Sequence, residues 1–119
     1  MKKPYYIFPL ISVILLLGGC QSSLSRQRSE AAHTVRELAL GCLLYAHEND
    51  GTLPATMTDI IPYVRESFDP DAYVLVATGK TNEIEQPSKA ILLRKIHLLP
   101  DGEQVVAYVD GHVEAISTN

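Results

Sequence analysis

The chain contains little cysteine and no excess of positive charge. Only two of its 119 residues are cysteines, Cys20 and Cys42, which excludes the multiple-disulfide framework that stabilises many small secreted domains. The formal net charge is -4, so electrostatic attraction to nucleic acid or to anionic lipid is not expected.

Motifs of catalysis are also missing. The sequence contains no nucleophile elbow, phosphate-binding loop or dinucleotide fingerprint, and Cys42 has no histidine at a recognisable motif spacing. Carboxylates that could form a hydrolytic pair are Glu48, Asp50, Asp110 and Glu114, but any acidic chain offers such combinations. We expect neither an enzyme nor a bound cofactor.

The first twenty residues have the pattern of a secretory signal. Lys2 and Lys3 precede an apolar run from Ile7 to Leu17, and small residues lead to Cys20. The run is shorter than the roughly 20 residues that a membrane span needs. The segment Leu17-Gly18-Gly19-Cys20 resembles the lipobox of bacterial lipoproteins, which implies that residues 1–19 are cleaved and that Cys20 carries acyl chains such as palmitate.

A lipid anchor would decide the location of the chain. Two or more acyl chains hold a protein stably on a bilayer, and loss of Lys2 and Lys3 takes the net charge from -4 to -6. Gln21 occupies the position at which inner-membrane lipoproteins often carry Asp. By resemblance to that sorting rule we expect the outer membrane, facing the periplasm, with residues 20–25 as a short polar tether.

An amphipathic helix is predicted from Arg26 to its stop near Pro54. Its apolar positions recur at steps of three and four, as on the buried face of a helix; they include Ala31, Val35, Leu38, Cys42 and Tyr45. Cys42 is therefore expected to be buried, with an intermolecular disulfide as the alternative. About 24 residues would give a rod of roughly 36 Å.

Helix-stop signals follow this stripe. Gly51 comes after Asn49 and Asp50, where a left-handed cap favours a residue without a Cβ, and Pro54 prevents continuation. A second, short helix is predicted to start at Thr56 or Thr58. Thr58 is preferred because Pro62 would then lie in the first turn, where proline is tolerated.

The remainder has strand character. Short apolar runs at 72–77, 89–95, 105–109 and 112–116 are separated by turn residues and by a polar loop at 78–88. Asp110-Gly111 between two alternating runs predicts a two-residue type I′ hairpin. The pairs would be Val109 with His112, Tyr108 with Val113, Ala107 with Glu114 and Val106 with Ala115. Val106, Tyr108, Val113 and Ala115 would then face the helix, and His112 and Glu114 the solvent.

Two stretches resemble the pseudopilin-like, prepilin-type proteins of type II secretion. One is the helix end, with Tyr45, Asn49, Gly51 and Pro54; the other is the hairpin Asp110, Gly111, His112, Val113 and Glu114. The resemblance implies a pilin-like headgroup. The chain departs from a prepilin because it lacks the processing site and the continuous apolar helix that packs into a filament, and the lipid anchor stands in their place.

The acidic residues offer only scattered metal ligands. Asp69, Asp71, Asp101 and Asp110 are weak calcium candidates, since calcium needs six to eight oxygen ligands and these follow no loop pattern. His97 and His112 with Asp110 or Glu114 match no zinc spacing. A solvated acidic surface without a metal is the preferred interpretation.

These patterns predict an α+β domain over residues 26–119, with a long N-terminal helix packed on a small antiparallel sheet. We expect an envelope lipoprotein that acts as a structural or interaction module, accessory to a type II secretion or pilus-like assembly. Its partners would be the membrane, through Cys20, and an envelope protein, with self-association as an open alternative. The competing hypothesis is a lipid-anchored periplasmic protein that binds calcium or an envelope component.

The anchor gives a direct prediction. Replacing Cys20 with Ser removes the thiol that would be acylated, so the variant should show no palmitate labelling and should accumulate as unprocessed precursor. Metabolic labelling and the electrophoretic mobility of the protein measure both effects. Persistent labelling of Cys20→Ser would show that the lipoprotein interpretation is wrong.

Overall fold

A computed structural model describes the backbone of residues 3–118 and the side chains of residues 23–118. Helix α1 extends over Lys3–Glu48, so it begins well before the predicted start at Arg26 and continues through the predicted tether. Once a helix is nucleated, each added residue contributes one more hydrogen bond, and the serines and Gln21 are only modestly unfavourable. The side chains of the predicted signal peptide and of Cys20 lie outside the described residues.

Within the described part of the chain, no helix has both the length and the apolar character needed to span a bilayer. The face of α1 that contacts the rest of the domain is the predicted stripe. Its fully buried side chains are Val35, Leu38, Ala39 and Cys42, with Ala31 and Ala46 nearly so. Tyr45 is partly buried against the same core. The helical periodicity therefore predicted the core face of α1 correctly.

The end of α1 is a Schellman motif. The Gly51 N–H donates to the Ala46 carbonyl at 2.7 Å, and Asp50 has a left-handed φ of 55°. The sequence pattern predicts the left-handed cap at Gly51. Gly51 does have a positive φ, of 81°, but Asp50 occupies the first left-handed position, which short polar side chains tolerate.

A 3₁₀ helix at Met57–Tyr63 follows. Its N-cap is Thr56, whose N–H donates to the Asp59 carboxylate at 3.2 Å. Of the two caps predicted from the sequence, Thr56 is therefore confirmed and the preference for Thr58 was wrong. Pro62 is the sixth residue of this element and not part of its first turn. A proline is accommodated there because a short 3₁₀ segment makes few internal hydrogen bonds.

Four strands form an antiparallel meander in the order β1-β2-β3-β4. They extend over Tyr73–Leu75, Ile91–Lys95, Glu103–Tyr108 and Val113–Ser117. Short 3₁₀ turns at Pro70–Ala72 and Thr81–Glu83 precede and follow β1. The predicted α+β class, a long helix on a small antiparallel sheet, is confirmed.

The β3–β4 hairpin differs from the prediction by one residue of register. Ala107 pairs with Val113, Val106 with Glu114 and Val105 with Ala115. The loop has three residues: the Gly111 N–H donates to the Tyr108 carbonyl and the Tyr108 N–H to the His112 carbonyl. This is a type I turn followed by a glycine bulge, with Gly111 at φ 97°.

A shift of one residue exchanges the two faces of a strand. Val105, Ala107 and Val109 belong to the core, together with Val113 and Ala115 of β4. The expectation that Val106 and Tyr108 face the helix was therefore wrong, whereas the inward positions of Val113 and Ala115 were predicted correctly. Val106 instead lies opposite Arg94 and Glu114 on the outer face, where its side chain is fully buried but is not part of the main core cluster.

Helix α1 and the end of the 3₁₀ helix approach each other closely at Gly41. A Cβ at this position would lie 2.8 Å from Cγ2 of Val64. Alanine is favoured over glycine inside a helix by about 1 kcal/mol, but relief of this overlap requires displacement of a half-buried valine. Overpacking of this kind costs about 1–3 kcal/mol.

Gly41→Ala should therefore lower the free energy of unfolding by about 1 kcal/mol. In a Val64→Ala background the overlap is gone, and the same change should stabilise the protein through helix propensity. Urea unfolding of the four variants measures the coupling. Equal effects of Gly41→Ala in the two backgrounds would contradict the close contact.

Candidate functional site

The hairpin turn groups four polar side chains on the outer side of the sheet. The rings of Tyr108 and His112 are stacked, 4.2 Å apart and 5° from parallel. His112 Nδ1 lies 2.5 Å from Asp110 Oδ1, and its Nε2 lies 3.5 Å from Glu114 Oε1. The Tyr108 hydroxyl donates to Glu114 at 3.1 Å. We call these four residues the hairpin cluster.

The observed register produces this cluster. Tyr108 and His112 flank the three-residue loop, so their rings leave the sheet on the same face. The Asp110 carboxylate also accepts the His112 backbone N–H at 3.1 Å, which is a typical role of Asp in turns. The outward positions predicted for His112 and Glu114 are thus found, but the ring of Tyr108 joins them in place of facing the core.

Hydrogen bonding within the cluster shifts the pKa of two of its groups. Hydrogen bonds from the His112 backbone and imidazole, assisted by its charge when protonated, lower the pKa of Asp110. Partial desolvation and the neighbouring Glu114 raise the pKa of Tyr108. These groups form a local hydrogen-bonded network around the turn, and none of the four side chains is buried.

The helix-end residues form a second polar group. The Asn49 side chain donates to the Tyr45 carbonyl at 2.7 Å. Tyr45 makes an edge-to-face contact with Tyr63, whose hydroxyl donates to Glu48. That hydrogen bond raises the pKa of Tyr63. The Asn49 side chain therefore caps a carbonyl of the last helical turn. Pro54 is buried just beyond this turn.

The two sequence motifs meet at one end of the molecule. A Cβ at Gly111 would lie 3.7 Å from Cδ1 of Leu43 on α1. A shallow groove of about 370 Å³ between them is lined by Leu43, Ala46, His47, Gly51, Thr81, Pro87 and Val109. Helix end and hairpin turn are thus structural neighbours, although about 60 residues separate them in the sequence.

The four candidate aspartates do not converge. Asp69 caps a 3₁₀ turn by accepting the Asp71 N–H, and Asp101 pairs with Arg28 at 2.6 Å. Asp101 precedes β3 and Asp110 follows it, so a strand of six residues, about 20 Å long, separates them. His97 and His112 also lie beyond opposite ends of β3. Among the described residues, no three His, Cys, Asp or Glu side chains are arranged to hold a metal ion.

Cys42 lies fully buried in the core. Desolvation raises the pKa of its thiol to about 12, so the reactive thiolate is scarce at neutral pH. The expected role as a small buried hydrophobe agrees with this position. An intermolecular disulfide would require the core to open.

Sequence reasoning missed three features. Arg28 bridges Asp101 at 2.6 Å and Glu103 at 2.8 Å, an interaction over more than 70 residues. Leu40 and Leu44 are about half exposed on α1, and Ile96 and Leu98 are similarly exposed after β2. The sequence did contain a signal for the exposed leucines, because Leu40 and Leu44 are one helical turn apart and lie off the main stripe.

Comparisons with known proteins find no match: no family model fits the chain, and neither curated protein sequences nor solved structures show significant similarity to it.

The lowered pKa of Asp110 predicts an acid-dependent loss of stability. A carboxylate with a pKa below its unfolded value of about 3.9 stabilises the fold above that pH, and the contribution is lost as pH falls through the lower, folded-state pKa. Asp110→Asn removes the ionised form. Its melting temperature should therefore fall less steeply than that of the wild type below about pH 4.

Asp71→Asn is the matched control, because it removes an equal charge from an exposed position outside the hairpin. The difference between the pH profiles of the two variants isolates the effect of the hairpin carboxylate from that of a lost surface charge. A profile of Asp110→Asn that runs parallel to the wild type throughout would argue against a stabilising ionised Asp110.

Proposed function

We propose that this chain is a lipid-anchored lipoprotein of the bacterial envelope that acts as a non-catalytic interaction module. In this proposal Cys20 carries the acyl chains, the domain faces the periplasm from the outer membrane, and it binds an envelope protein. The observation that carries the proposal is the exposed pair Leu40 and Leu44 on the outward side of α1, with exposed fractions of 47% and 51%.

Position on the helix makes this pair suitable as a contact surface. Residues four apart lie on one face of a helix, one turn above the other, and these two point away from the stripe that includes Leu38 and Cys42. The neighbouring flank of α1 is covered by the 3₁₀ helix, where Gly41 approaches Val64. We call Leu40 and Leu44 the outer leucine pair. Scattered single leucines are ordinary on surfaces, but two on successive turns form a ridge.

The distance of the outer leucine pair from the proposed lipid anchor favours a protein over lipid as its partner. Along a continuous helix, Leu44 lies about 36 Å from Cys20. If the acylated cysteine sits at the bilayer surface, the outer leucine pair lies beyond the headgroups unless α1 lies flat on the membrane. An amphipathic helix presenting spaced apolar side chains is a common mode of recognition by a grooved protein partner.

The kind of assembly is proposed from the resemblance noted above. A headgroup like that of a pseudopilin, held by lipid in place of an apolar helix, suits an accessory component of a type II secretion or pilus-like machine. The juxtaposed helix-end and hairpin motifs support this proposal, because they meet at the end of the domain farthest from Cys20 along α1.

Site-specific photocrosslinking in intact cells tests the proposal. A photoreactive residue at Leu44 should give one dominant adduct with a foreign envelope protein, identified by mass spectrometry. A matched probe at Glu85, exposed on the polar loop, should give little of this adduct. A ladder of self-adducts from Leu44 would instead indicate a pilin-like array, and equal yields at the two positions would contradict a specific role for the outer leucine pair.

A further inference from the structure

The connection between β2 and β3 exposes two apolar side chains. Ile96 is 47% exposed and Leu98 is 41% exposed, on either side of the exposed His97. We call residues 96–98 the anchor-side loop. Exposure of two large aliphatic side chains within three residues costs favourable burial, which suggests that something covers them.

Backbone hydrogen bonds hold both ends of the anchor-side loop. The Ile96 N–H donates to the Ala72 carbonyl at 3.0 Å, and the Leu99 N–H donates to the Glu103 carbonyl at 2.9 Å. Leu99 itself is buried in the core. The backbone is therefore held at Ile96 and at Leu99, on either side of the exposed His97 and Leu98.

The loop lies beside residues 27–31 of α1, at the end of the packed domain that is nearer Cys20. Leu98 shares a groove of about 400 Å³ with helix residues Gln27, Glu30 and Ala31. Salt bridges from Arg28 to Asp101 and Glu103 link α1 to the turn that follows the anchor-side loop. Because Arg28 is eight residues after Cys20, it lies about 12 Å along the helix from the predicted anchor.

Given the proposed lipid anchor, we infer that Ile96 and Leu98 contact the bilayer that holds Cys20, so that the domain is tilted with its anchor-side loop in the membrane interface. Without a tether to the membrane, two aliphatic side chains would bind a bilayer only weakly. Tethering by Cys20 makes the contact intramolecular, and the resulting effective concentration compensates for weak intrinsic affinity.

Charge at this surface is mixed, since the exposed Arg26 and His97 lie near carboxylates and paired basic groups. The guanidinium of Arg28 is already paired with two carboxylates, and the basic Lys95 lines the same groove as the acidic Glu30. The contact should therefore depend on apolar burial. Its strength should change little with the anionic lipid fraction or with salt, both of which alter contacts made by basic clusters.

The chain contains no tryptophan, so a single introduced tryptophan reports its own environment. Leu98→Trp would be prepared as the full-length lipidated protein and reconstituted into phosphatidylcholine vesicles with acyl chains brominated on part of the lipid. The emission of the introduced indole should shift to the blue and lose most of its intensity to bromine quenching. Adding phosphatidylglycerol or salt should leave that quenching unchanged.

Leu44→Trp is the matched control, since it is also an exposed leucine and shares the intrinsic preference of tryptophan for interfaces. Its emission should remain red-shifted and unquenched. Ile96→Trp provides a second probe of the loop in case Leu98→Trp disturbs the fold, which circular dichroism detects.

The outcomes separate this inference from the proposed anchor. Wild-type protein that fails to float with vesicles overturns the anchor and, with it, the tilted contact. Flotation with no quenching at either loop position leaves the anchor standing and overturns the contact. Equal quenching at positions 98 and 44 also overturns it, because the loop would then have no preferred position relative to the bilayer.

Discussion

Burial of one stripe of α1 against one face of a four-stranded sheet is the constraint on which the rest of the structure depends. Leu38 and Cys42 of the helix are fully buried together with Leu93 and Ala107 of the sheet. In the described residues the helix, the sheet and the 3₁₀ helix share one main core, so the inward side chains of each strand require one register. The turns, caps and ion pairs adjust the connections around this contact.

The hairpin shows how the core determines a local conformation. Asp-Gly is the strongest sequence signal for a two-residue turn, yet such a turn would have placed Val106 inward and Val105 outward. With one more loop residue, both Val105 and Val109 enter the core. The type I turn needs a positive φ only at Gly111, where glycine supplies it without strain. Packing of two valines thus prevails over a local turn preference.

Periodic features could be predicted from the sequence and long-range features could not. The stripe on α1, the approximate positions of four strands and the end of the helix near Gly51 follow from spacing and from turn residues. The early start of α1 reflects helix propagation through the predicted tether, a segment without a strong breaker, and the 3₁₀ form of the second helix and its cap at Thr56 depend on small energy differences. The hairpin cluster was only half predicted, because Tyr108 changed faces with the register. Arg28, Asp101 and Glu103 carry no pattern that links them across the chain.

The order of elements along the chain has a consequence for biosynthesis. Helix α1 precedes every element that covers its apolar stripe: the 3₁₀ helix follows directly, but Val105 and Ala107 of the same core come much later in the chain. Long sequence separation between partners delays folding, because a large loop must close before the contacts form. A chain still emerging from the ribosome therefore cannot complete this core until β3 has been made.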